Sequence, residues 1–294
     1  MLAQEATSFG LDTRGGISMP TVRAGDIDVY YETTGSGEPL LLIPYLAADQ
    51  ACYAFQVPEY AKHFTCISVD LRGAGLTDKP AGTYTTELFA DDIARFMDAI
   101  KVERAHITGL SLGAATGMWL AAKYPDRVLT LSLHSAWPKS DPYLRAAVGG
   151  WQLIAKALDS VPEMVIKGIL PWCLTPELYA AKPEYVDSLA AFVRSRPVQP
   201  LDAFMRQSAA VIAHDCLAQL SKITAPTQIT FGRHDAVTSL RFADPLNNGI
   251  KNSELVIFED CAHAPLYEKV DEFNQRTLAF LMAHSGREVA ASRA

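Results

Sequence analysis

The feature that most constrains how this chain folds is the stretch HITGLSLGAATGMWLAAKYPDRV at 106–128. A short β-branched run leads into a sharp turn, and an alanine-rich segment follows. Ser111 stands at the apex of the turn between Gly109 and Gly113, whose small size permits a strained backbone at the serine. The stretch predicts a strand, a tight turn and a helix, with the serine oxygen held clear of the sheet beside unpaired helix N–H groups. The alternative is an ordinary serine in a strand-to-helix turn.

Composition and charge exclude several classes of protein. The 294 residues suffice for one large α/β domain with a subsidiary element. A formal net charge of −7, without a long block of Lys or Arg, argues against nucleic acid and anionic membranes as partners. No apolar run is long enough to span a membrane, and the N-terminal residues lack the basic and apolar segments of a secretory signal. We therefore expect a cytoplasmic protein.

The cysteines indicate neither a disulfide framework nor a metal centre. Their number is odd, they are scattered, and no two of them form a C-x-x-C pair. They are Cys52, Cys66, Cys173, Cys216 and Cys261. We expect no metal ion and no organic cofactor.

Short apolar or β-branched runs alternate with helical segments along most of the chain. This rhythm favours right-handed crossovers and a largely parallel sheet, with ligands at the carboxyl ends of the strands. Strands are predicted at 40–43, 64–69, 105–108, 128–133, 227–231 and 254–258, after a hairpin at 22–34. An amphipathic helix is predicted at 85–100 with Thr86 as its N-cap, and a closing helix at about 269–284.

The strand rhythm stops in the middle of the chain, which suggests an inserted helical element. We predict a sheet domain formed by 21–136 and 211–285, a helical cap at 137–210, and tails at 1–20 and 286–294. The cap is rich in aromatic residues and prolines. Trp137 is our candidate for a residue that contacts the substrate, although most cap aromatics are expected to form its own core.

Two loops in the second half of the chain offer groups that activate a serine. A serine hydroxyl is a weak nucleophile at neutral pH, so it needs a base within hydrogen-bond reach and an acid that orients the base. Asp235 follows a predicted strand in G-R-H-D, and His263 follows the last one in C-A-H-A-P-L-Y-E. We predict that Ser111, His263 and Asp235 form a triad. The alternatives are that Asp235 only forms a turn and that His263 is a surface residue.

With these motifs, the chain resembles enzymes of the α/β-hydrolase fold, in the branch of esterases and lactonases, from about Thr21 to about His284. The resemblance implies a mostly parallel twisted sheet flanked by helices, with an inserted helical cap and a triad in the chain order serine, acid, histidine. The D-L-R-G-A-G-L-T segment at 70–77 matches a conformational loop of this family and, with the 45–47 segment, resembles the enol-lactonases. Haloalkane dehalogenases and epoxide hydrolases carry an aspartate at the position of Ser111, so the serine argues against them.

The resemblance also implies an oxyanion hole made of two backbone N–H groups. One belongs to the residue after the nucleophile, here Leu112, and the other comes from the loop after the third strand. The family usually has His-Gly in this loop, where this chain has Pro44-Tyr45, so Leu46 is expected to supply the second N–H. Tyr45 either packs under the cap or meets the substrate with its hydroxyl.

We therefore expect a serine hydrolase that cleaves a small or medium carboxylic ester or lactone through an acyl-enzyme. A hydrolase of carbon–carbon bonds and a cofactor-free perhydrolase use the same triad and stay open. A slowly hydrolytic ligand receptor of this fold is the alternative from another class. The expected partner is a small-molecule substrate, and the expected assembly is a monomer or a homodimer.

Overall fold

A computed structural model describes residues 20–286. The predicted tails at 1–20 and 286–294 lie outside the described residues, apart from Pro20 and Gly286. Eight strands form one sheet in the order β1-β2-β4-β3-β5-β6-β7-β8. They are β1 (Thr21–Ala24), β2 (Ile27–Gly35), β3 (Pro39–Ile43), β4 (Thr65–Val69), β5 (Ala105–Leu110), β6 (Val128–His134), β7 (Thr227–Gly232) and β8 (Ser253–Phe258).

Only the first strands of the sheet run antiparallel, in the pairs β1–β2 and β2–β4. All other pairs are parallel, as in the register that places Leu41 beside Ile107. Parallel strands are covered by helices on both faces, which explains their continuous apolar sequences. The predicted mostly parallel sheet flanked by helices is confirmed.

Twelve α-helices accompany the strands within residues 20–286. They are α1 (Val57–Tyr60), α2 (Thr86–Ala99), α3 (Leu112–Lys123), α4 (Pro142–Leu158), α5 (Val161–Met164), α6 (Leu170–Cys173), α7 (Pro176–Ala181), α8 (Pro183–Ser195), α9 (Leu201–Ala213), α10 (Ala243–Gly249), α11 (Pro265–Glu268) and α12 (Val270–His284). Thr85 caps α2 by accepting a hydrogen bond from Leu88 N–H, so the prediction of Thr86 as N-cap is wrong by one residue. Thr86 is buried instead, and its hydroxyl bonds to His214.

The two faces of the sheet pack into separate clusters of apolar side chains. On β3, Leu41 and Ile43 join the cluster that contains residues of α2 and α3, whereas Leu40 and Leu42 join a cluster with Leu281 of α12. This split follows from the two-residue period of a strand, which sends alternate side chains to opposite faces. The strand ends are thereby fixed between two packed layers.

The helices α4–α9, which we call the cap, lie between β6 and β7 in the chain. A π-helical segment, Val165–Ile169, joins α5 to α6. The last cap helix runs to Ala213, beyond the boundary expected at residue 210. Within residues 20–286, no helix has the length and apolarity needed to cross a bilayer.

The cap is fastened to the loop after β4 by amide side chains. Gln199 Nε2 donates to Gly73 O at 2.7 Å, and Gln207 Nε2 donates to Arg72 O at 2.9 Å. Arg72 is itself held by the carboxylates of Asp26 and Asp92, so the 70–77 loop is braced from both sides. The structure thus assigns the charges of this loop a bracing role.

Candidate active site

Ser111 occupies the turn between β5 and α3 in a backbone conformation that non-glycine residues rarely adopt, with φ of 53° and ψ of −115°. Its N–H donates to His134 O at 2.9 Å, which holds the turn against β6. A Cβ on Gly109 would lie 2.3 Å from the carbonyl carbon of Gly113, so only glycine fits there. The strain, on the order of 1–3 kcal/mol for such residues, is maintained by this packing.

Gly113 brings a second loop to the serine. A Cβ on Gly113 would lie 2.1 Å from Ile43 O, so the end of β3 rests directly on the first turn of α3. The chain then continues through Tyr45 and Leu46, which line the same cavity as Ser111. Leu112 is the first residue of α3, and its side chain is buried. Neither Leu46 N–H nor Leu112 N–H has an acceptor within residues 20–286.

His263 and Asp235 are brought together by the loops that follow β8 and β7. His263 Nδ1 lies 2.9 Å from Asp235 Oδ2, and both residues are almost fully buried. The other carboxylate oxygen accepts hydrogen bonds from Val237 N–H at 2.8 Å and Thr238 N–H at 3.0 Å. Asp235 is therefore fixed by its own turn as well as by the histidine.

The charge state of Asp235 follows from this setting. Burial alone raises the pKa of the carboxyl, but the His263 charge and the hydrogen bonds from His263, Thr238 and Val237 N–H outweigh it, so the pKa lies below its ordinary value. Asp235 is then ionised at neutral pH and accepts the His263 Nδ1–H. With Nδ1 donating to Asp235, Nε2 is the ring nitrogen left to act as a base.

Ser111 and His263 line one cavity of about 750 Å³, which we call the serine cavity. Its walls are mostly apolar. They include Trp137, which precedes the cap, and the cap side chains Leu144, Val148, Trp151, Ile169, Leu170, Leu174 and Val211. The structure thus brings Ser111, His263, Leu46, Tyr45 and Trp137 to one cavity, with Asp235 behind the histidine. The convergence of the Leu46 and Leu112 N–H groups on a substrate oxygen stays a prediction.

Tyr45 and Trp137 present their rings to the cavity while their polar atoms bond elsewhere. The Tyr45 hydroxyl lies 2.8 Å from the Tyr267 hydroxyl, which in turn donates to Cys52 O at 2.8 Å. Because the proton of Tyr267 is used there, Tyr45 donates to Tyr267, and its proton does not face the oxyanion in this arrangement. Trp137 Nε1 donates to Ser140 Oγ at 2.9 Å.

Three polar residues that the sequence did not single out hold Asp235 and the His263 loop in place. Thr238 Oγ1 donates to Asp235 Oδ2 at 2.7 Å, and Ser135 Oγ donates to His263 O at 2.7 Å. Glu268 accepts a hydrogen bond from Ala262 N–H at 2.6 Å, directly before the histidine. Two of them lie close in sequence to a predicted residue, since Thr238 stands three positions after Asp235 and Glu268 belongs to the histidine motif. This closeness is the sequence feature that could have identified them.

His214 and Asp215 make structural contacts. His214 is buried between Thr86 Oγ1 and Trp137 O, and burial lowers its pKa to about 4. Asp215 pairs with Lys139. Within residues 20–286, no cluster of three or more His, Cys, Asp or Glu residues is arranged to hold a metal ion.

The sequence profile of the α/β hydrolase fold family matches residues 38–270. The chain is 27% identical over 268 residues to the putative carbamate hydrolase RutD of Azorhizobium caulinodans, which covers 89% of this chain and 98% of that protein. The structure of Est816, described as an N-acyl homoserine lactone degrading enzyme, is similar with a TM-score of 0.76 at 27% identity, over 89% of this chain and 100% of that one.

A further crystal structure shares the fold. The enol-lactonase from Burkholderia xenovorans LB400 is similar with a TM-score of 0.81 at 24% identity, over 90% of this chain and 100% of that one. The similarity to these proteins therefore extends over most of the chain.

Proposed function

The chain belongs to the α/β-hydrolase-fold family, a hydrolase family, and we propose that it is a serine hydrolase of small or medium carboxylic esters or lactones. The observation that carries this proposal is the shared cavity of Ser111 and His263, with Asp235 bonded to the far nitrogen of the histidine. Covalent acyl transfer requires a serine next to a base and an acid that orients the base, and these residues supply all three groups.

The reaction follows from this geometry in two halves. Ser111 Oγ attacks the carbonyl carbon, His263 Nε2 takes the hydroxyl proton, and Asp235 stabilises the imidazolium that forms. The Leu46 and Leu112 N–H groups receive the charge that develops on the carbonyl oxygen. When the tetrahedral intermediate collapses, His263 passes its proton to the leaving oxygen, and the acyl group stays on Ser111. Water then enters, His263 takes one of its protons, and the oxygen attacks the acyl carbon. When this second intermediate collapses, the bond to Ser111 Oγ breaks, His263 returns the proton to Ser111, and the acid is released.

The apolar walls of the serine cavity favour an uncharged acyl chain or ring. The names of the two similar proteins at 27% identity refer to a carbamate and to a lactone, and both groups present a carbonyl that the same attack opens. We therefore include lactones and carbamates beside simple esters in the substrate range to be tested.

Three alternatives use the same parts. A carbon–carbon bond hydrolase and a perhydrolase differ in the bond cleaved or in the second nucleophile, which is peroxide for the perhydrolase. A receptor of this fold differs in turnover, because it completes at most one slow cycle. Multiple turnovers on p-nitrophenyl esters separate the proposed activity from the receptor. Comparing kcat/KM for esters with that for carbon–carbon substrates, and for hydrolysis with and without peroxide, separates it from the other two.

The decisive experiment removes the nucleophile. Ser111→Ala is expected to fold normally and to lower kcat by about 10⁴-fold or more, since the covalent route is lost. A fluorophosphonate probe is expected to label the wild type once per chain and to leave Ser111→Ala unlabelled. Ser188→Ala, which alters an exposed cap serine, is the matched control with unchanged activity and labelling. Labelling that persists in Ser111→Ala would refute the assignment.

A further inference from the structure

A second chamber of about 560 Å³ adjoins the serine cavity. The two spaces share Tyr45, Val165 and Val193 in their walls. Neither Ser111 nor His263 lines the second chamber, whose walls come from the loop after β3, the 70–77 loop and the cap. A molecule that lies across the boundary therefore reaches the serine with one part only.

The boundary between the two spaces lies next to the reacting position. Tyr45 is fixed there by its bond to Tyr267, and its neighbour Leu46 lines the serine cavity. A carbonyl group placed at Ser111 and Leu46 lies in the serine cavity, and the second chamber begins beyond the neighbouring Tyr45.

The second chamber differs from the serine cavity because its wall contains an arginine with N–H groups that make no hydrogen bond within the described part of the chain. Arg196 Nε donates to Asp49 Oδ2 at 2.8 Å, while Asp49 Oδ1 accepts from Ala51 N–H at 3.0 Å. The two terminal nitrogens of Arg196 make no hydrogen bond to any residue within 20–286. Its side chain is 33% exposed, so these N–H groups are accessible to a ligand in the chamber.

The charges around Arg196 favour a neutral ligand over an anion. Asp49 already balances the guanidinium charge. Asp70 lies directly behind the wall, since a Cβ on the lining residue Gly75 would lie 1.9 Å from Asp70 Oδ2. Burial raises the pKa of Asp70 to about 6, so this carboxyl is still largely ionised at neutral pH. With two carboxylates and one guanidinium, the wall offers an anion no net attraction.

We propose that the second chamber binds the leaving group of the substrate. This leaving group is a neutral alcohol with a further oxygen besides the ester oxygen, and the further oxygen accepts a hydrogen bond from Arg196. The acyl chain then occupies the serine cavity. This inference rests on the proposed function. In the acylation step the bond between the carbonyl carbon and the alcohol oxygen breaks, the acyl group remains on Ser111, and the alcohol leaves from the chamber with the proton that His263 supplies.

The test compares two butyrate esters of matching shape. 2-Methoxyethyl butyrate carries an ether oxygen where butyl butyrate has a methylene group, so the difference between them reports on the acceptor. 2-Carboxyethyl butyrate adds an anionic leaving group. The value of kcat/KM is measured for each ester, because it reports the acylation step in which the alcohol is still bound. Comparing ratios between variants cancels the intrinsic difference in leaving-group ability.

Two substitutions separate the donor groups from the ion pair. Arg196→Met removes both, whereas Arg196→Lys keeps a charge that can pair with Asp49 but loses the planar fork. We expect the kcat/KM ratio of the methoxyethyl ester to the butyl ester to fall about tenfold in both variants, as for loss of a hydrogen bond to a charged donor. Arg194→Met, which loses an exposed pair with Glu163 outside the chamber, should leave the ratio unchanged.

Three results would overturn the inference while the enzyme remains an active hydrolase. The ratio of the two esters does not change in Arg196→Met, or both esters slow equally in both variants, or the wild type prefers the carboxyethyl ester. The first two results assign Arg196 a structural role only, and the third assigns the chamber to anions. Failure of the proposed function looks different, since the wild type then hydrolyses no ester and takes up no fluorophosphonate, and the inference falls with it.

Discussion

Glu268 connects the cap to the loop of the candidate base, and replacing it by glutamine tests how much that connection contributes. Glu268 Oε1 accepts from Ala262 N–H at 2.6 Å, and Oε2 accepts from Thr175 N–H at 2.9 Å and Thr175 Oγ1–H at 2.6 Å. Ala264 N–H also donates to Cys173 O, so the cap holds both neighbours of His263. A glutamine replaces one oxygen by an NH₂ group, which then faces a donor.

The magnitude follows from these contacts. Hydrogen bonds to a charged group contribute about 1.5–3 kcal/mol each, and a buried N–H left without an acceptor costs about 1–3 kcal/mol. Because Glu268 is only half-buried, we expect Glu268→Gln to lower the free energy of unfolding by about 2 kcal/mol. For a chain of this size the Tm then falls by about 4–8 °C. Displacement of the His263 loop is expected to lower kcat by about tenfold as well.

The assay is urea denaturation combined with steady-state hydrolysis of one p-nitrophenyl ester. Thr175→Val removes the Oγ1–H bond to Glu268 and the N-cap that Oγ1 gives to Leu178 N–H, but it leaves the bonds of Glu268 to Thr175 N–H and Ala262 N–H. It is therefore expected to lose stability while keeping kcat near the wild-type value. Glu259→Gln breaks an exposed pair with Arg233 and should change stability by less than about 0.5 kcal/mol. Wild-type stability in Glu268→Gln would refute the energetic reasoning. A stability loss without a loss in kcat beyond that of Thr175→Val would refute the positioning of His263.

Two further substitutions have expected outcomes of their own. Tyr45→Phe removes the donor to Tyr267 but leaves the bond from Tyr267 to Cys52 O. It should lower the free energy of unfolding by about 1 kcal/mol, measured by denaturation. It should also change the preference among esters of different alcohols, measured by kcat/KM. His214 has a folded pKa of about 4 against an ordinary value of 6.5, so its contribution to stability is complete above pH 6.5 and declines as pH falls towards 4. His214→Gln should therefore make the unfolding free energy less sensitive to pH in this window, by up to about 3 kcal/mol, and an unchanged pH dependence would contradict the assigned burial effect.

The sheet and the positions of the triad candidates were predictable because both depend on local patterns. A parallel sheet brings the carboxyl ends of its strands to one edge, so residues that directly follow strands meet there whatever lies between them. Ser111, Asp235 and His263 each follow a strand in the sequence, and in the structure they follow β5, β7 and β8. The glycines around Ser111 were equally informative, since the close approach at Gly109 leaves no room for a Cβ.

The contacts that shape the cavities were not predictable from such patterns. Arg196 and Asp49 are 147 positions apart, and Tyr45 and Tyr267 are 222 apart. Their meeting depends on how the cap helices pack on the strand loops, and helical periodicity says nothing about that packing. The N-cap of α2 shows the same limit on a small scale, since adjacent threonines offer the same chemistry and only burial decides between them.

The turn after Leu46 joins the two halves of the proposed site. Ala47 has φ of 60°, in the left-handed region, where a non-glycine residue costs on the order of 1–2 kcal/mol. Gly113 holds the start of this loop against α3 through its contact with Ile43 O, so the chain must change direction within a few residues. The turn comes directly after Leu46 and carries Ala47 and Asp49 into the wall of the second chamber. We therefore expect a substitution that displaces Ala47 to alter the proposed leaving-group subsite and to change the preference among esters of different alcohols, measured by kcat/KM.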